Sequence, residues 1–194
     1  MTAELIVVDA AAWLTWLHEH HEDSDGVWLV LAKKNVTTPT SLTYDEALEE
    51  ALCHGWIDGQ RRGRDEQTFV QRYTPRRARS LWSKRNVGLT ARLEQEGRMR
   101  PAGRAEVERA KADGRWDNAY GGAGALEIPD DLAAALAAEP KAQAMFEILT
   151  SANRFAVVHR VINARRAETR AKRVALYVEQ LARGETIYPQ KRTL

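Results

Sequence analysis

Cysteine is almost missing from this chain. There is one, Cys53, in 194 residues, so no intramolecular disulfide can form and the fold must rest on its apolar core, which a chain of this length can build. Apolar runs such as residues 27–32 fall far short of the roughly 18–20 residues needed to span a bilayer. No charged-then-apolar leader opens the sequence, and with a single thiol the expected compartment is the reducing cytoplasm. The Gly121-Gly122-Ala123-Gly124 run lacks both the Gly-Lys-Ser/Thr ending of a phosphate loop and the strand-then-Gly-x-Gly-x-x-Gly setting of a dinucleotide fold. His18, His20 and His21 have no further histidine or cysteine at ligand spacing, so neither a metal nor a nucleotide cofactor is expected.

Charge is plentiful but nearly balanced, at a formal +2. Its distribution is uneven. Residues 1–59 are acidic, 61–109 strongly basic, and a second basic block starts at Arg154. Two outcomes stay open: folding interleaves the blocks so that they neutralise one another, or the arginines gather on one face and attract anions.

The local signals predict an α+β fold, with a small antiparallel sheet packed with helices and followed by a C-terminal helical segment. Asp9 can cap a helix carrying Trp13, Trp16, Leu17 and His20 on one face. Gly26 opens a β-branched, aromatic run over 27–32 that reads as a buried strand. Thr43 and Glu46 have capping-box spacing for a helix ending near Gly55. Strands follow at 56–62 and 68–73, joined by a connection of hairpin length. Ser83 caps a helix that stops at Gly97, and Pro101 opens another that stops near Gly114. The glycine run divides an α+β domain at 1–120 from a helical domain at 125–194, with helices at 130–138, 141–151, 154–164 and 168–183. Val174, Tyr177, Val178 and Leu181 form the apolar stripe of the last helix.

The segment Leu52-Cys53-His54-Gly55-Trp56-Ile57-Asp58-Gly59, the stretch FVQRYTPRRARSLWSKRN at 69–86, and Gly97, Met99, Pro101 and Gly103 resemble the motif block of the YdeI/OmpD-associated (bacteriocin-protection) family. The ending around Ile162-Asn163-Ala164-Arg165 and 169–173 is similar to that family's C-terminal helical segment. His54 departs from it, since members commonly carry Phe there. The resemblance implies a part in tolerance of bacteriocins and cationic peptides and implies no molecular activity.

Enzymatic motifs fare poorly. Cys53 and His54 are adjacent, so on a helix their side chains diverge by about 100° and cannot act as a ready nucleophile and base. The most informative segment combines Arg72, Tyr73, Arg76, Arg77, Ser80, Trp82, Ser83 and Asn86, with Asp58 and Asp65 as supporting carboxylates. Arginine forks hold phosphate or carboxylate oxygens, aromatic faces stack on bases or cations, and a helix starting after Ser83 offers backbone donors to an anion. The expected function is a non-enzymatic stress and antimicrobial-peptide tolerance protein that binds a small anionic ligand or nucleic acid there. The rivals are a small enzyme using Asp58 or Asp65 with Arg76 and Arg77, and a module whose C-terminal helices dock a protein partner. In a structural alternative Trp82 plugs the sheet while the arginines satisfy Asp58, Asp65 and the acidic N-terminal helices. The oligomeric state is not legible.

Overall fold

A computed structural model of the chain describes residues 4–121, 127–164 and 166–193. The chain divides into two compact units, Met1–Tyr120 and Gly121–Leu194. Of the glycine run, residues 122–124 lie outside the described residues, as does Arg165.

In the first unit, Asp9 accepts from the Ala12 N–H and starts helix α1 (Ala10–His20). The Thr43–Glu46 capping box forms in full at the start of α2 (Tyr44–Cys53), and Gly55, at a φ of +76°, turns the chain out of that helix. Ser83 caps α3 (Lys84–Gln95), and Pro101 is the first residue of α4 (Pro101–Ala112).

The sheet has four strands in the order β1-β2-β4-β3, formed by β1 (Glu4–Leu5), β2 (Val27–Ala32), β3 (Trp56–Gly63) and β4 (Thr68–Pro75). The expected antiparallel pairs β2–β4 and β3–β4 are present. The two-residue β1, which carries no strand signal of its own, adds to β2 in parallel and makes the sheet mixed. A bulge between Asp58 and Arg61 inserts one extra residue into β3.

Helices α1 and α2 pack on one sheet face, burying Trp13, Leu17, Leu29, Leu31, Ala47, Trp56 and Tyr73 together. A second cluster joins α2, α3 and α4 through Leu48, Leu52, Cys53, Trp82, Leu93 and Val107. Trp82 therefore plugs the helical layer and not the sheet. Gly103 lets α4 approach the end of α2 backbone to backbone: a Cβ there would fall on the Cys53 carbonyl. The opposite sheet face carries only Trp28, Val30 and Val70 as a buried cluster. At the α2–α3 seam, Arg98 bridges Glu49 and Glu50 (2.8 and 2.6 Å) and Arg92 also binds Glu49.

The second unit is helical throughout its regular structure: α5 (Asp130–Ala137), α6 (Pro140–Glu147), α7 (Ser151–Ile162) and α8 (Ala167–Ala182). Its core gathers Leu132, Leu136, Phe146, Val158, Val174, Tyr177 and Leu181, with Val178 packed beside them. The expected helix at 141–151 ends early. Thr150 accepts from the Asn153 N–H and caps α7 instead, so the helix break falls ahead of Ser151.

Candidate functional site

Three local structures in the first unit converge on a pocket of about 320 Å³. The capping box places Tyr44 at the first position of α2, the turn at Gly55 delivers Ile57, Asp58 and Gly59 on β3, and the Ser83 cap sets Arg85 and Asn86 in the first turn of α3. Tyr120 and Leu81 complete the lining. Tyr120 is clamped by its backbone, which donates to the Trp82 carbonyl (3.0 Å) and accepts from the Lys84 N–H (2.8 Å).

The polar groups form a chain. The Tyr44 hydroxyl donates to Asp58 Oδ2 (2.9 Å) and accepts from Arg85 Nη1 (3.3 Å), while Arg85 Nη2 donates to Asp45 (2.7 Å). Burial, reinforced by the Asp58 charge, pushes the Tyr44 phenol up to about 12 and raises that of Tyr120 as well. Tyr73 is raised by the same two causes and has its buried hydroxyl without a hydrogen-bond partner.

Behind the segment that forms one wall lies Arg76. Its guanidinium is buried, stacks 3.6 Å from the centre of the Trp82 ring and donates through Nη1 to the Leu81 carbonyl (3.1 Å). Arg76 Nε and Nη2 and Trp82 Nε1 are buried with no acceptor in reach among the described residues. Burial pushes the Arg76 guanidinium down to about 10, against the pull of Glu106 and Asp58. Arg115, equally buried, is held by Asp113 and donates to the Ser80 carbonyl (2.6 Å).

Of the residues singled out from sequence, Asp58, Ser83 and Asn86 line the pocket, and Arg76 and Trp82 sit together behind its wall. Arg72 does not join them. It follows strand alternation to the face opposite its neighbour Tyr73, where it donates to the Asp25 carbonyl (3.3 Å). Arg77 is exposed, and Ser80 uses its hydroxyl to accept from the Arg77 N–H in a turn. Asp65 lies at the far end of the hairpin, bound to Arg64 and Thr68. Among Arg61, Arg62, Arg64, Arg72, Arg76 and Arg77, Arg64 alone has a carboxylate partner among the described residues. The acidic helix α2 takes its partners from Arg85, Arg92 and Arg98, further along the chain.

Sequence reasoning missed Tyr44 and Tyr120. Tyr44 could have been found, since the first residue after a capping box lies beside the helix entrance. Tyr120 carries no such signal, because its place beside Ser83 comes from backbone pairing with a segment distant in the chain.

Cys53 is buried, and desolvation with the nearby Glu50 carboxylate pushes its thiol up to about 12, so it is no nucleophile at neutral pH. His54 is buried between His18 and His21, with ring centres 5.3 and 5.4 Å apart. Among the described residues no group of three or more His, Cys, Asp or Glu is arranged to hold a metal ion. No described helix is long and apolar enough to cross a membrane.

The family model described as "Bacteriocin-protection, YdeI or OmpD-Associated" matches residues 125–184. That supports the resemblance over the second unit. A different family model, described as "Domain of unknown function (DUF8412)", matches residues 5–106. The motif block at 52–59 and 69–86 therefore falls within the stretch of this other family, which corrects the extent of the resemblance. Comparison with curated proteins and with solved structures returns no match.

Proposed function

The chain belongs to the DUF8412 family, whose model covers residues 5–106, and since that family's description carries no activity, we propose from the site that the first unit binds a small anionic ligand in the pocket between Asp58 and Arg85. The observation that carries this reading is the cation in the lining: Arg85 stands beside Asn86 in the first turn of α3, whose backbone donors add positive potential at the mouth. Arg76 Nε and Nη2 and Trp82 Nε1, buried without acceptors among the described residues, lie behind the wall and are not part of the lining. The one carboxylate in the lining, Asp58, already accepts the Tyr44 hydroxyl, which tempers its repulsion of an anion.

In this reading the chain acts without catalysis. A part in tolerance of bacteriocins is supported by the name of the family that matches the second unit. A cytoplasmic site of action is consistent with a lone, buried, unpaired thiol.

The test is thermal-shift and calorimetric titration with phosphate, sulfate, citrate and adenosine monophosphate at matched ionic strength. At least one should raise the melting temperature of the wild type, and Arg85→Gln and Asn86→Leu should each lose most of that shift. Arg79→Ala, exposed and outside the pocket, should keep it. No shift with any of the four anions at millimolar concentration would remove the proposal.

A further inference from the structure

The free edge of the sheet offers a second surface, independent of the pocket. β3 is the last strand in the order β1-β2-β4-β3 and, among the described residues, pairs only with β4. Alternate backbone N–H and C=O groups along a strand point to each side, so half of those on β3 have no strand to receive them. Beyond the bulge, Gln60, Arg61, Arg62 and Gly63 are all exposed.

Arg61 and Arg62 are prepared in an unusual way. The Arg61 guanidinium lies 3.8 Å over the ring of Phe69 and that of Arg62 lies 3.9 Å over Trp28. Neither makes an ion pair among the described residues, whereas neighbouring Arg64 is bound to both Glu4 and Asp65. Two charged forks are thus held in place by aromatic rings with their N–H groups unspent, which lowers the entropy cost of engaging a carboxylate. Being consecutive on a strand, they stand on opposite faces of the sheet.

We propose that this edge receives an extended acidic segment of a partner protein as an added strand, with adjacent acidic residues meeting Arg61 on one face and Arg62 on the other. Strand addition places consecutive side chains of the incoming segment on alternate faces, the spacing these two arginines require. A second copy of the chain does not fit: pairing β3 with β3 would set arginines against arginines, and like charges opposite one another across a ladder are destabilising. Single-stranded nucleic acid is disfavoured too. It uses exposed aromatic faces for base stacking, and here Phe69 and Trp28 are buried beneath the guanidiniums.

The experiment is fluorescence anisotropy of the full chain with a fluorescein-labelled peptide of sequence TVTEEVTV. Saturable binding is expected, weakened at least tenfold in the Arg61→Ser/Arg62→Ser double variant and kept by the pocket variant Arg85→Gln. Methylating alternate backbone nitrogens of the peptide should abolish binding, and amide exchange at residues 60–63 should slow on addition of the unmodified peptide. Equal binding of the methylated peptide, or of one with Lys for Glu, would overturn strand addition. Binding of a twelve-nucleotide oligothymidylate without binding of the peptide would assign the edge to nucleic acid and overturn it as well, as would no binding at all. A melting temperature of the double variant within a few degrees of wild type separates lost recognition from lost folding.

Discussion

The Tyr44 hydroxyl donates to Asp58 across 2.9 Å while accepting from Arg85, so one phenol joins helix α2, strand β3 and helix α3 at the mouth of the pocket. Removing it in Tyr44→Phe should cost about 1.5–3 kcal/mol, the range for a hydrogen bond to a charged group. The phenol's folded value, about 12, lies above its ordinary 10.0. Its contribution is therefore complete below pH 10 and is lost as pH rises through 12. Absorbance titration of wild type beside Tyr44→Phe checks this. A difference phenol titrating near pH 10 would contradict it.

The imidazole of His54 makes the opposite prediction on the acid side. Burial, the largest cause, holds its folded value below the ordinary one against the pull of its hydrogen bond to the Glu50 carbonyl, and His21 and His18 push it down further while the Glu50 carboxylate raises it least. Its Nδ1 is fixed on the Glu50 carbonyl (2.8 Å) and its Nε2 is buried without a partner. Stability from neutral His54 should be present above pH 6.5 and fall as pH drops below it, by at most about 1.4 kcal/mol per pH unit for one proton. Denaturant melts from pH 7.5 to 5 should show that slope in wild type and a flatter one in His54→Phe.

Arg76 and Arg77 are neighbours with opposite expectations. Arg77→Ala, at an exposed position, should change stability by less than about 0.5 kcal/mol. Arg76→Ala removes the partner stacked on Trp82 and strands the Leu81 carbonyl, for a loss of about 1–3 kcal/mol. Thermal melts of the two single variants decide it, and equal melting temperatures would refute the difference in burial.

Trp56 is buried, and its indole N–H donates to the His21 carbonyl (3.1 Å) at the end of α1. Trp56→Ala should cost about 3–5 kcal/mol. A loss under about 1 kcal/mol in a denaturant melt would place the residue outside the core.

Elements with local, self-contained signals were legible from the sequence. Asp9, the Thr43–Glu46 box, Ser83 and Pro101 each start a helix where their chemistry says, and the β-branched run at 27–32 is a central strand. What stayed hidden depends on partners distant in the chain. β1 exists because β2 offers it an edge, and Tyr120 reaches the pocket through backbone bonds to Trp82 and Lys84 that flank Ser83. Charge misled for the same reason. Arginines next to Asp58 in sequence were natural candidates to pair with it, yet strand alternation and burial sent Arg72 and Arg76 elsewhere, and a tyrosine holds the carboxylate.

The bulge in β3 gives that strand two reading frames. Asp58 and Arg61 are an odd number of residues apart and in a regular strand would look in opposite directions, but the extra residue sets both across from members of one row of β4, Tyr73 and Gln71. Loss of a single residue at Gln60 would straighten the strand without turning it over: Asp58 and Arg61 would then stand two residues apart and still share a face, with Arg61 opposite Gln71 and Arg62 opposite Val70 as before. The bulge is thus a slack residue, taken up between the pocket half of the strand and its edge half without changing the address of either.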